Sequence, residues 1–163
     1  MNAVNRSPRT RAADQVAAAV ADTAELLEIL FERARDASPR PLSVSQVRAV
    51  VALDRHEGLN LRTLAELLGS TPPLASRLCD RLEAVGFIER LPHAQNRREL
   101  ALRLSDSGRA YLQDLRARRR ESLHTVLAAL TTEERDALAS GLRAFQAAAN
   151  RDLADDDNRA AGQ

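Results

Sequence analysis

The chain has no tryptophan and no lysine, a single cysteine, and few aromatic residues: Phe31, Phe87, Phe145 and Tyr111. Each shortage excludes something. With aromatics at 2%, the core has to be built from Leu, Val and Ala, which favours helices over a β-sandwich. The lone Cys79 cannot form an internal disulfide, so a cytoplasmic location is expected. Arg6, Arg9, Arg11, Asp14, Asp22 and Glu25 interrupt residues 1–30, leaving no signal-peptide core, and no apolar run approaches the roughly 20 residues that span a bilayer. His56, His93 and His124 show no metal-ligand spacing, and no phosphate loop, nucleophile elbow or carboxylate pair is present. Neither enzymatic activity nor a cofactor or metal is expected. The formal net charge of +1 does not announce a polyanionic partner, so local charge has to carry any such case.

Hydrophobic residues at 44% and charged residues at 29% suit one folded domain, or one domain with an added assembly element. Residues 1–10 are expected to form a disordered tail. Val16, Val20, Leu27, Leu30, Phe31 and Ala34 then recur at helical spacing until Ser38-Pro39-Arg40-Pro41 breaks the pattern. Ser43 and Gln46 make a capping box for a second helix through Val47, Val50, Val51 and Leu53, stopped at His56-Glu57-Gly58. Ser105-Asp106-Ser107-Gly108 opens a long helix. Thr131 with Glu134 opens a last one, carrying Leu138, Leu142, Phe145 and Ala149 in one stripe. Residues 151–163 are acidic and expected to be disordered. Apolar stripes at the two ends of the chain, over 11–37 and 106–150, are expected to form a dimerisation region.

Residues 42–104 carry the chemical signal. A short helix with Leu61, Leu64, Ala65 and Leu68 inward ends at Gly69. Thr71 caps the next helix, and Pro72 and Pro73 occupy its first turn, where N–H groups lack partners anyway. Leu74, Leu78, Leu82 and Val85 define the expected inward face. Pro73, Ala75, Ser76, Arg77, Asp80 and Arg81 are left wholly or partly outward. After Gly86, the segments Phe87–Leu91 and Glu99–Leu104 read as strands around a polar tip with His93, Asn96, Arg97 and Arg98. Helix, turn, helix and cationic hairpin are the parts of a winged helix-turn-helix. The second helix enters a major groove, and the hairpin meets the backbone or minor groove. The DNA-contact candidates are Arg62, Thr71, Pro73, Ala75, Ser76, Arg77, Arg81, Arg97 and Arg98. A solvated basic hairpin is the plain alternative for the tip.

The strings Ala75-Ser76-Arg77-Leu78-Cys79-Asp80-Arg81-Leu82-Glu83, Asn96-Arg97-Arg98 through Leu104-Ser105-Asp106-Ser107-Gly108, and Leu130-Thr131-Thr132-Glu133-Glu134 resemble the MarR family of winged-helix transcriptional regulators, over about residues 42–145. The resemblance implies a mainly α fold with a small β-hairpin wing and N- and C-terminal dimerisation helices. It also implies a homodimer on a pseudo-palindromic double-stranded DNA operator, and a ligand-responsive repressor whose DNA affinity a small-molecule effector changes. The family's wing usually carries Asp two residues before its arginine, where this chain has Asn96. That departure, with the near-neutral net charge, keeps open a winged-helix protein-interaction module that does not bind DNA. Cys79, lacking a resolving partner, reads as a structural thiol rather than an oxidant sensor. The run Arg116-Ala117-Arg118-Arg119-Arg120 reads as a solvated face paired with acids such as Asp114 and Glu121.

Overall fold

Helix α1 (Pro8–Asp36) leads into α2 (Val44–Arg55), α3 (Leu61–Leu67) and α4 (Pro72–Ala84). The antiparallel strands β1 (Ile88–Pro92) and β2 (Leu100–Leu104) follow, then α5 (Asp106–Ala128) and α6 (Thr132–Ala161). The computed structural model describes residues 8–92 and 100–161. The fold is therefore mainly α with a two-stranded hairpin, as the sequence predicts. Among the described residues no helix is long and apolar enough to cross a membrane.

The capping chemistry explains the helix starts. The Ser43 hydroxyl accepts from the Gln46 N–H while the Gln46 side chain accepts from the Ser43 N–H, so both arms of the capping box form. Thr131 and Glu134 make the same reciprocal pair at the start of α6, which holds the Glu134 carboxyl below its ordinary range. The Asn60 side chain, which carries no such box in sequence, caps α3 by accepting from the Thr63 N–H at 2.9 Å.

Two helix ends differ from expectation. Helix α1 begins at Pro8, inside the segment assigned to a tail, because proline is favourable in a first helical turn. The remainder of that tail, residues 1–7, lies outside the described residues. Helix α6 continues to Ala161, through most of the acidic segment expected to be disordered. Extending an existing helix costs far less than nucleating one, and Ala154, Ala160 and Ala161 favour the extension.

The chain divides into two compact units, Met1–Ser122 and Leu123–Gln163. In the first, Leu42, Val50, Leu64, Leu82, Ile88, Leu102 and Leu112 form the buried core. Tyr111 packs on Phe87 with ring centroids 4.9 Å apart. The register pairs Ile88 with Leu104 and Pro92 with Leu100. Leu102 also donates its N–H to the Leu59 carbonyl at 2.7 Å, which ties the hairpin to the segment before α3. Leu102 and Leu104 are buried, but Leu100, expected beside them, is exposed at the outer end of the strand. On α1, Ala34 is buried and Leu27, Leu30 and Phe31 are half-buried, whereas Val16, Val20, Leu26 and Ile29 are exposed. In the second unit, Arg135 donates to the Leu130 carbonyl at 2.8 Å, closing the turn after α5. Leu138, Leu142 and Phe145 are exposed.

Candidate nucleic-acid interface

The turn between α3 and α4 is made by Gly69, whose φ of +61° is a conformation that glycine adopts without steric cost. Ser70 then donates its N–H to the Ala65 carbonyl at 2.9 Å, ending α3 within two residues. Thr71 is the N-cap of α4, but its hydroxyl makes no capping bond, and prolines fill the first two helical positions. The first turn of α4 is thus fixed by backbone constraint, and the Thr71 hydroxyl is left for another partner.

The face that α4 buries is displaced from the expected one. Ala75, Cys79 and Leu82 are buried and Leu78 is half-buried, while Leu74 is 57% exposed and Val85 also faces out. Ala75, a contact candidate from sequence, is 1% exposed and cannot touch a duplex. The physical reason is size. Both α3 and α4 bury an alanine, Ala65 and Ala75, and small side chains let helix backbones approach closely, which leaves the bulkier Leu74 outside. Among the other candidates on α4, Pro73, Arg77 and Arg81 are exposed and Ser76 is half-buried.

Charge on α4 is sorted by a residue that sequence reasoning missed. Arg90, on β1, donates one guanidinium nitrogen to Asp80 and another to Glu83 at 2.7 Å. The clasp raises the Arg90 pKa, chiefly through the Asp80 hydrogen bond against the opposing effect of burial. It fastens the wing to α4 and occupies both of that helix's carboxylates. Arg77 and Arg81, four residues apart on one face, form no ion pair among the described residues. Among the described residues Arg62, on α3, pairs only with Glu66 at 3.1 Å, both side chains being largely exposed. Such a surface pair is worth little and yields readily to a phosphate. Arg97, Arg98 and Asn96 lie outside the described residues.

Cys79 is fully buried, and burial pushes its thiol up to about 11, with nearby Arg90 opposing. A thiolate is the reactive form, so the native protein should react with a disulfide reagent at pH 8 at least a hundredfold more slowly than the unfolded chain. Equal rates in the two states would contradict a structural thiol.

The arginine run on α5 is less solvated than expected. Arg118 pairs with Asp114 at 2.8 Å as predicted, but it also donates to the Ala37 carbonyl, and Arg116 reaches Asp54 on α2 at 2.8 Å. Arg119 lies 4.7 Å over the Phe31 ring, its Nε buried without a hydrogen-bond partner among the described residues. Burial first, and then Arg35, lowers its pKa. Arg119 and Phe31 border a cavity of about 630 Å³ between α1, α2 and α5, lined also by Arg35, Val47, Arg48 and Arg55 among others. Among the described residues no three His, Cys, Asp or Glu side chains converge as metal ligands.

Comparison with known proteins gives the site a family context. The family model described as MarR matches residues 42–100. An HTH-type transcriptional regulator of Mycobacterium tuberculosis is 33% identical over 100 residues, covering 61% of this chain and 70% of that protein. The transcriptional repressor MprA of Escherichia coli is 34% identical over 92 residues, covering 55% and 52% of the two chains. The crystal structure of RV1404 from Mycobacterium tuberculosis superposes with a TM-score of 0.75 at 31% identity, over 85% of this chain and 94% of that one.

Proposed function

The chain belongs to the MarR family, and on that premise we propose that it is a sequence-specific, ligand-responsive repressor acting as a cytoplasmic homodimer on a pseudo-palindromic operator. It is a DNA-binding transcriptional regulator, and the relatives it matches are regulators rather than enzymes. One observation carries the finer reading. Helix α4 offers Arg77 and Arg81 on its open face, while Arg90 neutralises the acids beside them. An exposed guanidinium without an acidic partner can grip the O6 and N7 of a guanine in a major groove. In this reading residues 42–104 form the DNA-binding domain, Ser76 and Thr71 add hydroxyl contacts, and Arg62 meets the backbone.

The dimer is supported by exposed apolar side chains in both terminal helices: Val16, Val20, Leu26 and Ile29 on α1, and Leu138, Leu142 and Phe145 on α6. Exposed stripes of this kind mark contact surfaces. The cavity beside Arg119 supports an effector seat, since a ligand there would touch α1, α2 and the end of α3.

The wing supplies a direct test. Arg98→Ala should weaken binding to every duplex by a similar factor. It should also flatten the plot of log affinity against log salt by about 1 for each phosphate contact removed. A slope equal to that of the unaltered protein would take Arg98 out of the interface. Unaltered protein that binds no duplex at low salt would return the fold to the protein-interaction reading.

A further inference from the structure

We infer that Leu74 reads the methyl group of a thymine in the major groove, a specificity contact that rests on the DNA-binding reading above. Leu74 is a large apolar side chain, 57% exposed, in the first turn of α4. It is not on the helix's buried face, which runs through Ala75, Cys79 and Leu82. Instead it lies three residues before Arg77 and seven before Arg81, so the three share one side of the helix. Pro72 and Pro73 immediately before it fix the backbone from which it projects.

An apolar group on the same face as two arginines has a narrow choice of partners in a duplex. The major-groove edges of the base pairs present hydrogen-bond donors and acceptors, which leucine cannot satisfy, and a single apolar feature, the thymine C5-methyl. The position of that thymine also follows. Three helical residues rise about 4.5 Å, against about 3.4 Å per base step along one strand. The thymine read by Leu74 therefore lies one or two base pairs from the base read by Arg77.

The test replaces thymine by deoxyuridine, which removes the methyl and leaves pairing unchanged. A preferred duplex is first selected by the full-length protein from a randomised pool. Each thymine in it is then replaced in turn, and affinity is measured for the unaltered protein and for Leu74→Ala. One thymine per half-site should matter, costing the unaltered protein about fourfold, the worth of one buried methyl group. Leu74→Ala should be indifferent to that same replacement while melting at the temperature of the unaltered protein. The inference is overturned if every replacement is tolerated within twofold. It is equally overturned if Leu74→Ala suffers the same loss at the same thymine. Selection of no duplex at all would instead overturn the DNA-binding reading, and this contact with it.

Discussion

Gly108→Ala should destabilise the protein by about 3 kcal/mol, lowering its melting temperature by roughly 6–12 °C. The expectation runs against helix propensity, which by itself favours alanine over glycine inside a helix by up to about 1 kcal/mol. Gly108 lies in the first turn of α5, and a Cβ placed there would collide with the Phe87 carbonyl oxygen and lie 3.0 Å from its carbon. That neighbour is backbone, so no side-chain rotation relieves the clash. The surroundings are also tightly bonded. Ser105 donates its N–H to the Phe87 carbonyl at 3.1 Å. Its hydroxyl donates to the Gly86 carbonyl at 2.6 Å and accepts from the Gly108 N–H at 3.0 Å. Arg109 adds a bond to the Leu104 carbonyl at 2.7 Å. The methyl must therefore separate α5 from the turn that launches the wing. Chemical denaturation of the variant would measure the loss. Unchanged or increased stability would show that this approach is looser than the contact distances imply.

Arg77→Ala should cost about 1–3 kcal/mol on the preferred duplex, roughly a 5- to 150-fold loss of affinity, and much less on a scrambled one. Arg77 is exposed and makes no ion pair among the described residues, so its removal should leave stability within about 0.5 kcal/mol. The loss then belongs to the interface and not to the fold. Titration of labelled duplexes, preferred and scrambled, separates two roles. A loss confined to the preferred duplex makes Arg77 a base reader. An equal loss on both makes it a phosphate clamp, and no loss on either would remove α4 from the groove.

What the sequence made legible was local. The two capping boxes, Ser43 with Gln46 and Thr131 with Glu134, are contacts between residues three apart, and both form. Gly86, read as the end of α4, has a φ of +78°, and the strand pair follows it directly. What failed was anything set by tertiary approach. Leu74 and Ala75 are adjacent apolar residues, and pattern alone favours burying the larger. The close packing of α3 and α4 chose the smaller, turning a supposed core leucine outward and a supposed contact residue inward. Arg90 escaped notice because its partners lie ten and seven residues earlier, on a different element, at no spacing a helix or strand would flag. Arg119 looked like one charge in a solvated run, and only the packing of α1 brings Phe31 beneath it. The arginines that matter were visible as a group, and their division into clasp, tether and open contact was not.

The most direct measurement is binding of the purified full chain to the intergenic DNA upstream of its own gene. It would be made at two salt concentrations with an excess of random duplex as competitor. The account predicts tight binding that survives the competitor and falls steeply with salt, as phosphate neutralisation by Arg97, Arg98 and Arg62 requires. Failure to bind that DNA or any random duplex at the lower salt would contradict the account.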